Sequence, residues 1–149
     1  DDESKVELPI VCLVNGNTAS AAELFTQALR DYGKAKSVGV TTYGKGTMQT
    51  VKKLNDGSAV NVTVARYLPP SGVSYDGEGV KPDYEVELTA DMEANLENLD
   101  ETTDPQLKKA LEVVVSSLRG EGIEPSGEVS QPESGEASQQ SAEGESTAA

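Results

Sequence analysis

Near the start of this chain a short apolar run gives way, within ten residues, to a helical period, and that switch limits the fold more than any other feature. Ile10 to Val14 is continuously apolar and partly β-branched, the pattern of a strand buried on both faces in a parallel or mixed sheet. Asn15, Gly16 and Asn17 turn the chain. From Ser20 onward Ala21, Phe25, Ala28, Leu29 and Tyr32 fall on one helical stripe, with Gly33 placed to end the helix. Ser37 to Val40 then reads as a second short strand.

The remaining elements follow from similar signals. Gln49 to Leu54 and Ala59 to Leu68 are predicted strands joined by the turn cluster Asn55, Asp56, Gly57 and Ser58. Val60, Val62 and Val64 alternate with polar residues, which predicts one buried face for this hairpin. Pro69 to Pro82 is rich in proline and glycine and predicts an irregular loop, and Tyr84 to Leu88 a last short strand. Asp91 to Asp104 is polar and acidic, with room for a helical turn. Pro105 suits a first helical position, and Leu107, Ala110, Leu111, Val114 and Leu118 form the stripe of a closing helix that ends near Gly120. Strand, helix, strand, hairpin, strand, helix is an α/β pattern.

Composition enters where it excludes chemistry. The net charge of −14 is not spread evenly, since the last 30 residues hold 7 acidic groups and no basic one. That Ser, Glu, Gly, Gln and Ala-rich segment cannot offset its ordering entropy by burial, so a disordered acidic tail is expected over 120–149. The rest has no basic stripe with interleaved aromatics, so no nucleic-acid surface is expected. With no histidine, a Ser-His-Asp triad, a Cys-His pair and a histidine-ligated zinc site cannot be built from this chain alone. The single cysteine, Cys12, excludes an intrachain disulfide and reads as a small apolar residue of the first strand. No apolar run reaches the roughly 18 residues needed to cross a bilayer. The acidic start DDESKVELP, without Met and just before an interior strand, leads us to expect part of a longer protein.

Two residues stand out as candidate chemistry. Ser20 has a structural reading, because Ser20-Ala21-Ala22-Glu23 is a capping-box pattern. It also has a chemical one: a serine after a strand and a tight turn, at a helix N-terminus, lies where free N–H groups can stabilise an oxyanion, the Ala21 N–H foremost. A serine hydroxyl needs a base, and without histidine the candidates are carboxylates or a lysine. A lysine serves only when neutral, and bringing an amine from about 10.4 to about 7.5 costs on the order of 4 kcal/mol, which burial can supply. Lys45, between Gly44 and Gly46, is expected to be threaded into such a pocket, with Gln49 four residues on accepting a hydrogen bond from the amine. The plain alternative for Lys45 is a solvated loop lysine.

A rival reading comes from another class. Gly39 to Lys45 fits the first seven positions of a P-loop, which would make this a nucleotide binder. Gly46 stands where a Ser or Thr should ligate Mg²⁺, and the next segment reads as a strand rather than the helix a phosphate site needs.

Taken in series, the blocks PIVCLVN, NTASAAE, YGKGTMQT, DGSAVNVTVARYLPPSG and GEGVKPD resemble the catalytic core of the carboxyl-terminal processing proteases, the tail-specific serine peptidases of the S41 type. The resemblance covers roughly Pro9 to Leu88. It implies a ClpP/crotonase-like ββα-superhelix core, incomplete in this chain, over about 1–89, followed by an acidic linker and closing helix over 90–119. It also implies a Ser-Lys dyad cutting peptide bonds near protein C-termini: Ser20 attacks, Lys45 is general base and then acid, Gln49 orients the lysine, and the Ala21 N–H is one oxyanion donor. No cofactor and no metal are implied. The implied partners are protein or peptide substrates with unstructured C-termini and a PDZ domain upstream in the same chain, with membrane contact only through an N-terminal anchor. The implied setting is extracytoplasmic, in the cell envelope. The PDZ domain and the loop bearing the second oxyanion donor are absent from these residues, so the isolated chain is expected to be inactive. A relative kept as a non-catalytic envelope scaffold is the second reading.

Overall fold

The structure, a computed structural model, describes residues 7–121. The acidic tail expected over 120–149 lies outside the described residues from 122 onward. Strand β1 (Ile10–Val14), helix α1 (Ala21–Asp31) and strand β2 (Ala35–Gly39) form a parallel crossover. A hairpin of β3 (Thr47–Lys53) and β4 (Ala59–Arg66) follows, then strand β5 (Tyr84–Glu85). A short helix α2 (Ala90–Ala94) and a single 3₁₀ turn lead to helix α3 (Pro105–Arg119).

The sheet runs β1-β2-β5, all parallel, with Val14 beside Gly39 and Val38 beside Tyr84. Alternation along β2 sends Val38 and Ser37 to opposite faces. Val38 and Tyr84 meet Ala110 and Val113 of α3 in the apolar core. Helix α3 is built as its sequence predicts: the Asp104 side chain accepts from the N–H groups of Gln106 and Leu107, Pro105 opens the first turn, and Gly120 closes it at φ 72°. Its buried face is the predicted one in part, with Ala110 in the core and Leu107 and Val114 half-buried. Gln106, Ala110 and Val113 are buried while Leu111 and Leu118 are exposed, and the Gln106 carboxamide donates to the Val86 carbonyl at 2.8 Å, which favours this rotation of the helix.

Helix α1 departs further from expectation. Its buried residues are Glu23 and Thr26, whereas Phe25 and Tyr32 of the predicted core stripe are exposed. Polar bonds turn the helix this way. On the Ser37 face, Asp83 accepts from the Ser37 N–H and hydroxyl and forms an ion pair with the Arg30 Nε at 3.0 Å, while Arg30 also donates to the Lys81 carbonyl. Arg30 and Asp83 are both nearly buried, so this bond ties the C-terminal end of α1 to the sheet.

The hairpin also corrects the sequence reading, since Val60, Val62 and Val64 are exposed among the described residues rather than lining a buried face. Its turn is as predicted, with Gly57 in the left-handed region and Asp56 holding Ser58.

Removing one partner of a buried pair strands the other charge, and such losses run to about 3–5 kcal/mol. We expect Asp83→Ala to destabilise the full natural chain containing these residues by about that much in denaturant titration, with Asp83→Asn costing less because it keeps an acceptor for Ser37.

Candidate active site

The Asn-Gly-Asn turn sets the entry to α1. Asn15 accepts the Thr18 N–H at its carbonyl and the Asn17 N–H at its side chain, and its own N–H donates to the Thr18 hydroxyl. Two residues later the backbone turns sharply. Ser20 has φ 59° and ψ −117°, and among the described residues it is the only non-glycine residue with positive φ. An ordinary N-cap has extended angles, as Thr89 and Asp104 have in this same chain. Ser20 is therefore more than a cap. Holding a residue there costs on the order of 1–3 kcal/mol and requires surroundings that over-determine it. The Ala21 N–H follows in the first turn of α1, where backbone donors have no intrahelical acceptor.

Glu23 supplies much of that surrounding. It is fully buried, and its carboxylate accepts the Ser20 N–H at 2.7 Å, the Gly44 N–H at 2.6 Å, the Lys45 N–H at 2.8 Å and the Thr42 hydroxyl at 2.5 Å. The Ser20 and Lys45 donors meet the same oxygen, Oε2. One atom thus brings the two candidate residues together through their backbones. The sequence reading saw only the capping-box arm of this group, because nothing local marks the loop 21 residues away as its partner. Burial alone would raise the Glu23 carboxyl, but the Thr42 hydroxyl and the three N–H donors outweigh it and hold it below its ordinary value. Tyr75, also buried, places its hydroxyl 3.5 Å from the Ser20 carbonyl, and burial together with the Glu23 charge pushes that phenol up.

The loop bearing Lys45 is held along its length. Thr42 donates to the Val80 carbonyl, Tyr43 to the Thr18 carbonyl, and Gly46 to the Asp76 carboxylate at 3.0 Å. Gly44 and Gly46 are needed for close approach. A Cβ on Gly44 would lie 2.8 Å from the Gly79 nitrogen, and one on Gly46 would lie 2.7 Å from the Asp76 Cβ. The Lys45 side chain itself is exposed, not threaded into a pocket among the described residues. Gln49 does not meet it. Its carboxamide is engaged across the hairpin, accepting from Asn61 at 3.1 Å and donating to Thr63 at 3.4 Å, beside a register shift between Met48 and Gln49.

The same loop disposes of the P-loop reading. The N–H groups of Gly44, Lys45 and Gly46, which would cradle phosphate oxygens, already donate to the carboxylates of Glu23 and Asp76, and a strand follows rather than a helix.

With this geometry in place, the comparisons with known proteins decide the family. The profile of peptidase family S41 matches residues 1–86. The chain belongs to peptidase family S41. Within S41 it is similar to the carboxy-terminal processing protease CtpA of Bacillus subtilis, 46% identical over 88 residues, a match covering 59% of this chain and 19% of that one. It is also similar to the chloroplastic carboxyl-terminal-processing peptidase 1 of Arabidopsis thaliana, 43% identical over 84 residues, covering 56% of this chain and 17% of that one. The chain therefore spans less than a fifth of the length of either relative. Among solved structures, the photosystem II D1 C-terminal processing protease aligns with a TM-score of 0.52 at 44% identity, over 66% of this chain and 26% of its own. The tricorn protease, at 24% identity and a TM-score of 0.58, shares the fold over 74% of this chain and 10% of its own.

Two predictions follow from this S41 site. If the Ser20 backbone is strained, Ser20→Gly will be more stable than Ser20→Ala by about 1 kcal/mol despite glycine's greater chain entropy, since only glycine relaxes at that φ; equal denaturation midpoints would remove the strain. Because the folded-state value of Glu23 lies below its unfolded value, its contribution is present above the ordinary glutamate range of about 4.3 and is lost as pH falls through the lower folded value. Glu23→Gln should flatten that acid limb of stability. It should also cost about 1–3 kcal/mol near neutrality, because an amide N–H₂ then faces backbone donors.

Proposed function

We propose that these residues are the C-terminal part of the catalytic core of a serine endopeptidase of the carboxyl-terminal processing type, with a Ser20-Lys45 dyad. The observation that carries this is the single Glu23 oxygen receiving the backbone N–H groups of both Ser20 and Lys45, in an S41 chain whose serine is held in a strained conformation at a helix entry. The Ser20 hydroxyl attacks the peptide carbonyl as its proton passes to the neutral Lys45 amine. The Ala21 N–H receives part of the developing oxyanion charge, and the lysine then protonates the departing amine. Water hydrolyses the acyl-serine with the lysine again as base. In this reading Gln49 orients the amine once its carboxamide leaves Asn61 and Thr63. No metal or cofactor has a part in these steps.

The substrates are protein or peptide chains with unstructured C-termini, presented by a PDZ domain upstream of these residues. Residues 1–89 form the C-terminal part of the core, 90–119 a linker and closing helix, and 120–149 an acidic tail. The setting is extracytoplasmic, held at the envelope by an N-terminal anchor. The similarity to carboxyl-terminal processing peptidases of a bacterium and a chloroplast supports both substrate class and setting.

The test uses the full natural chain containing these residues and an unstructured peptide substrate. Ser20→Ala and Lys45→Ala should each abolish cleavage while thermal unfolding stays close to that of the parent. Near-normal turnover in either variant would sink the dyad, and a correctly folded parent that neither cleaves nor reacts at Ser20 with a serine-directed probe would favour the scaffold reading.

A further inference from the structure

We propose that Asp76 is a positioning residue for Lys45, acting through the Gly46 N–H and held in place by Arg66. This rests on the Ser-Lys reading above and deepens it. The segment Thr42 to Gly46 runs beside the loop Asp76 to Val80 and is stitched to it rung by rung. Thr42 donates to the Val80 carbonyl, the Val80 N–H returns to the Thr42 hydroxyl, and the Gly77 N–H donates to the Gly44 carbonyl. At the next rung the backbone of that loop offers no acceptor to Gly46, and the Asp76 carboxylate takes its place through Oδ1. Gly46 is buried, so without Asp76 its N–H would be a stranded donor.

The other carboxylate oxygen, Oδ2, meets the Arg66 guanidinium at 3.3 Å. That division of labour leaves Oδ1 directed at Gly46. The next residue of the chain, Tyr67, donates its N–H to the Gly46 carbonyl at 2.7 Å. Gly46 is thus held at its N–H and its carbonyl together, from Asp76 and from the end of β4. Glu23 fixes Lys45 on its N-terminal side, through Gly44 and through the lysine's own N–H. Asp76 fixes it on the C-terminal side. An exposed side chain such as Lys45 finds no packing of its own to aim it, so the two carboxylates that grip the flanking backbone set where the amine can reach.

The energetics separate this role from a merely structural one. The Arg66-Asp76 pair is well exposed at the arginine and partly exposed at the aspartate, and exposed pairs contribute little to stability. A misplacement of about 1 Å at a reacting group, by contrast, can cost about 10²-fold in rate. Loss of the ion pair alone should therefore change unfolding little, the stranded Gly46 N–H of Asp76→Ala carries the stability cost, and kcat measured on the folded variant reports the positioning of Lys45.

In the full natural chain, Asp76→Ala is expected to lower kcat for an unstructured peptide substrate by about 10-fold or more with KM within about twofold. Amide hydrogen exchange in the peptide spanning Tyr43 to Met48 should speed up in the same variant. Asp76→Asn keeps an oxygen acceptor and should restore most of both readouts. Arg66→Gln, which frees the carboxylate to turn, should fall between Asp76→Ala and the parent. An Asp76→Ala enzyme with parental kcat, a loss carried wholly by KM, or an Asp76→Asn variant as impaired as Asp76→Ala would each overturn the proposal. Ser20→Ala and Lys45→Ala, assayed alongside, keep the two questions apart. If they retain activity the dyad falls, while the exchange measurement still judges the Asp76-Gly46 bond on its own.

Discussion

A single buried carboxylate holds this site together. Glu23 accepts hydrogen bonds from four donors that come from the start of α1 and from the loop before β3. Burying an isolated carboxylate is costly, and it is sustained only where donors surround it. Each bond to a charged acceptor contributes about 1.5–3 kcal/mol, so four of them are enough to make the ionised form the stable one. The consequence is geometric. Two stretches separated by more than twenty residues are fixed against each other at one point, and the serine and the lysine stand on either side of it.

Such a point of attachment explains how the chain can keep Ser20 at φ 59°. Left to local preference, a serine preceding a helix takes extended angles and caps it. Here the Ser20 N–H is drawn to Glu23, the Ser20 carbonyl receives the Leu24 N–H of the helix at 3.1 Å, and the Tyr75 hydroxyl closes on the same carbonyl. These bonds act on both sides of the residue and leave it no relaxed alternative. The strain is stored at Ser20, immediately before Ala21 opens the helix.

The sequence carried the elements well and their faces poorly, for a physical reason. Strand β1, helices α1 and α3 and the hairpin all stand where periodicity, caps and turn residues place them. Periodicity assumes that apolar residues face the core. In α1 that assumption fails, because Glu23 and Arg30 find polar partners in the loop before β3 and at Lys81 and Asp83, which turns Phe25 and Tyr32 outward. Those partners, Thr42, Asp83 and the backbone N–H groups of Gly44 and Lys45, lie far along the chain, and no local pattern announces a buried polar contact of that range. A helix entry and a pair of flanking glycines are local signals that single out Ser20 and Lys45, while their pairing comes from the family resemblance. Gln49 is a candidate by its spacing from Lys45 and by the family resemblance, whereas its carboxamide meets Asn61 and Thr63, beside a shift in strand register.

The lysine loop shows how the same backbone design serves two kinds of chemistry. Successive N–H groups in a glycine-rich turn form a concavity that favours an anion, and in a phosphate-binding loop the anion is the ligand. Here Glu23 and Asp76 fill it. A carboxylate close to a lysine would ordinarily pair with the ammonium and favour its charged form, which defeats a general base. Here the oxygens of both carboxylates are directed at backbone and hydroxyl donors and at Arg66. Among the described residues no carboxylate forms an ion pair with Lys45. The loop is therefore gripped by two negative groups through its backbone, while the Lys45 side chain stays exposed between them.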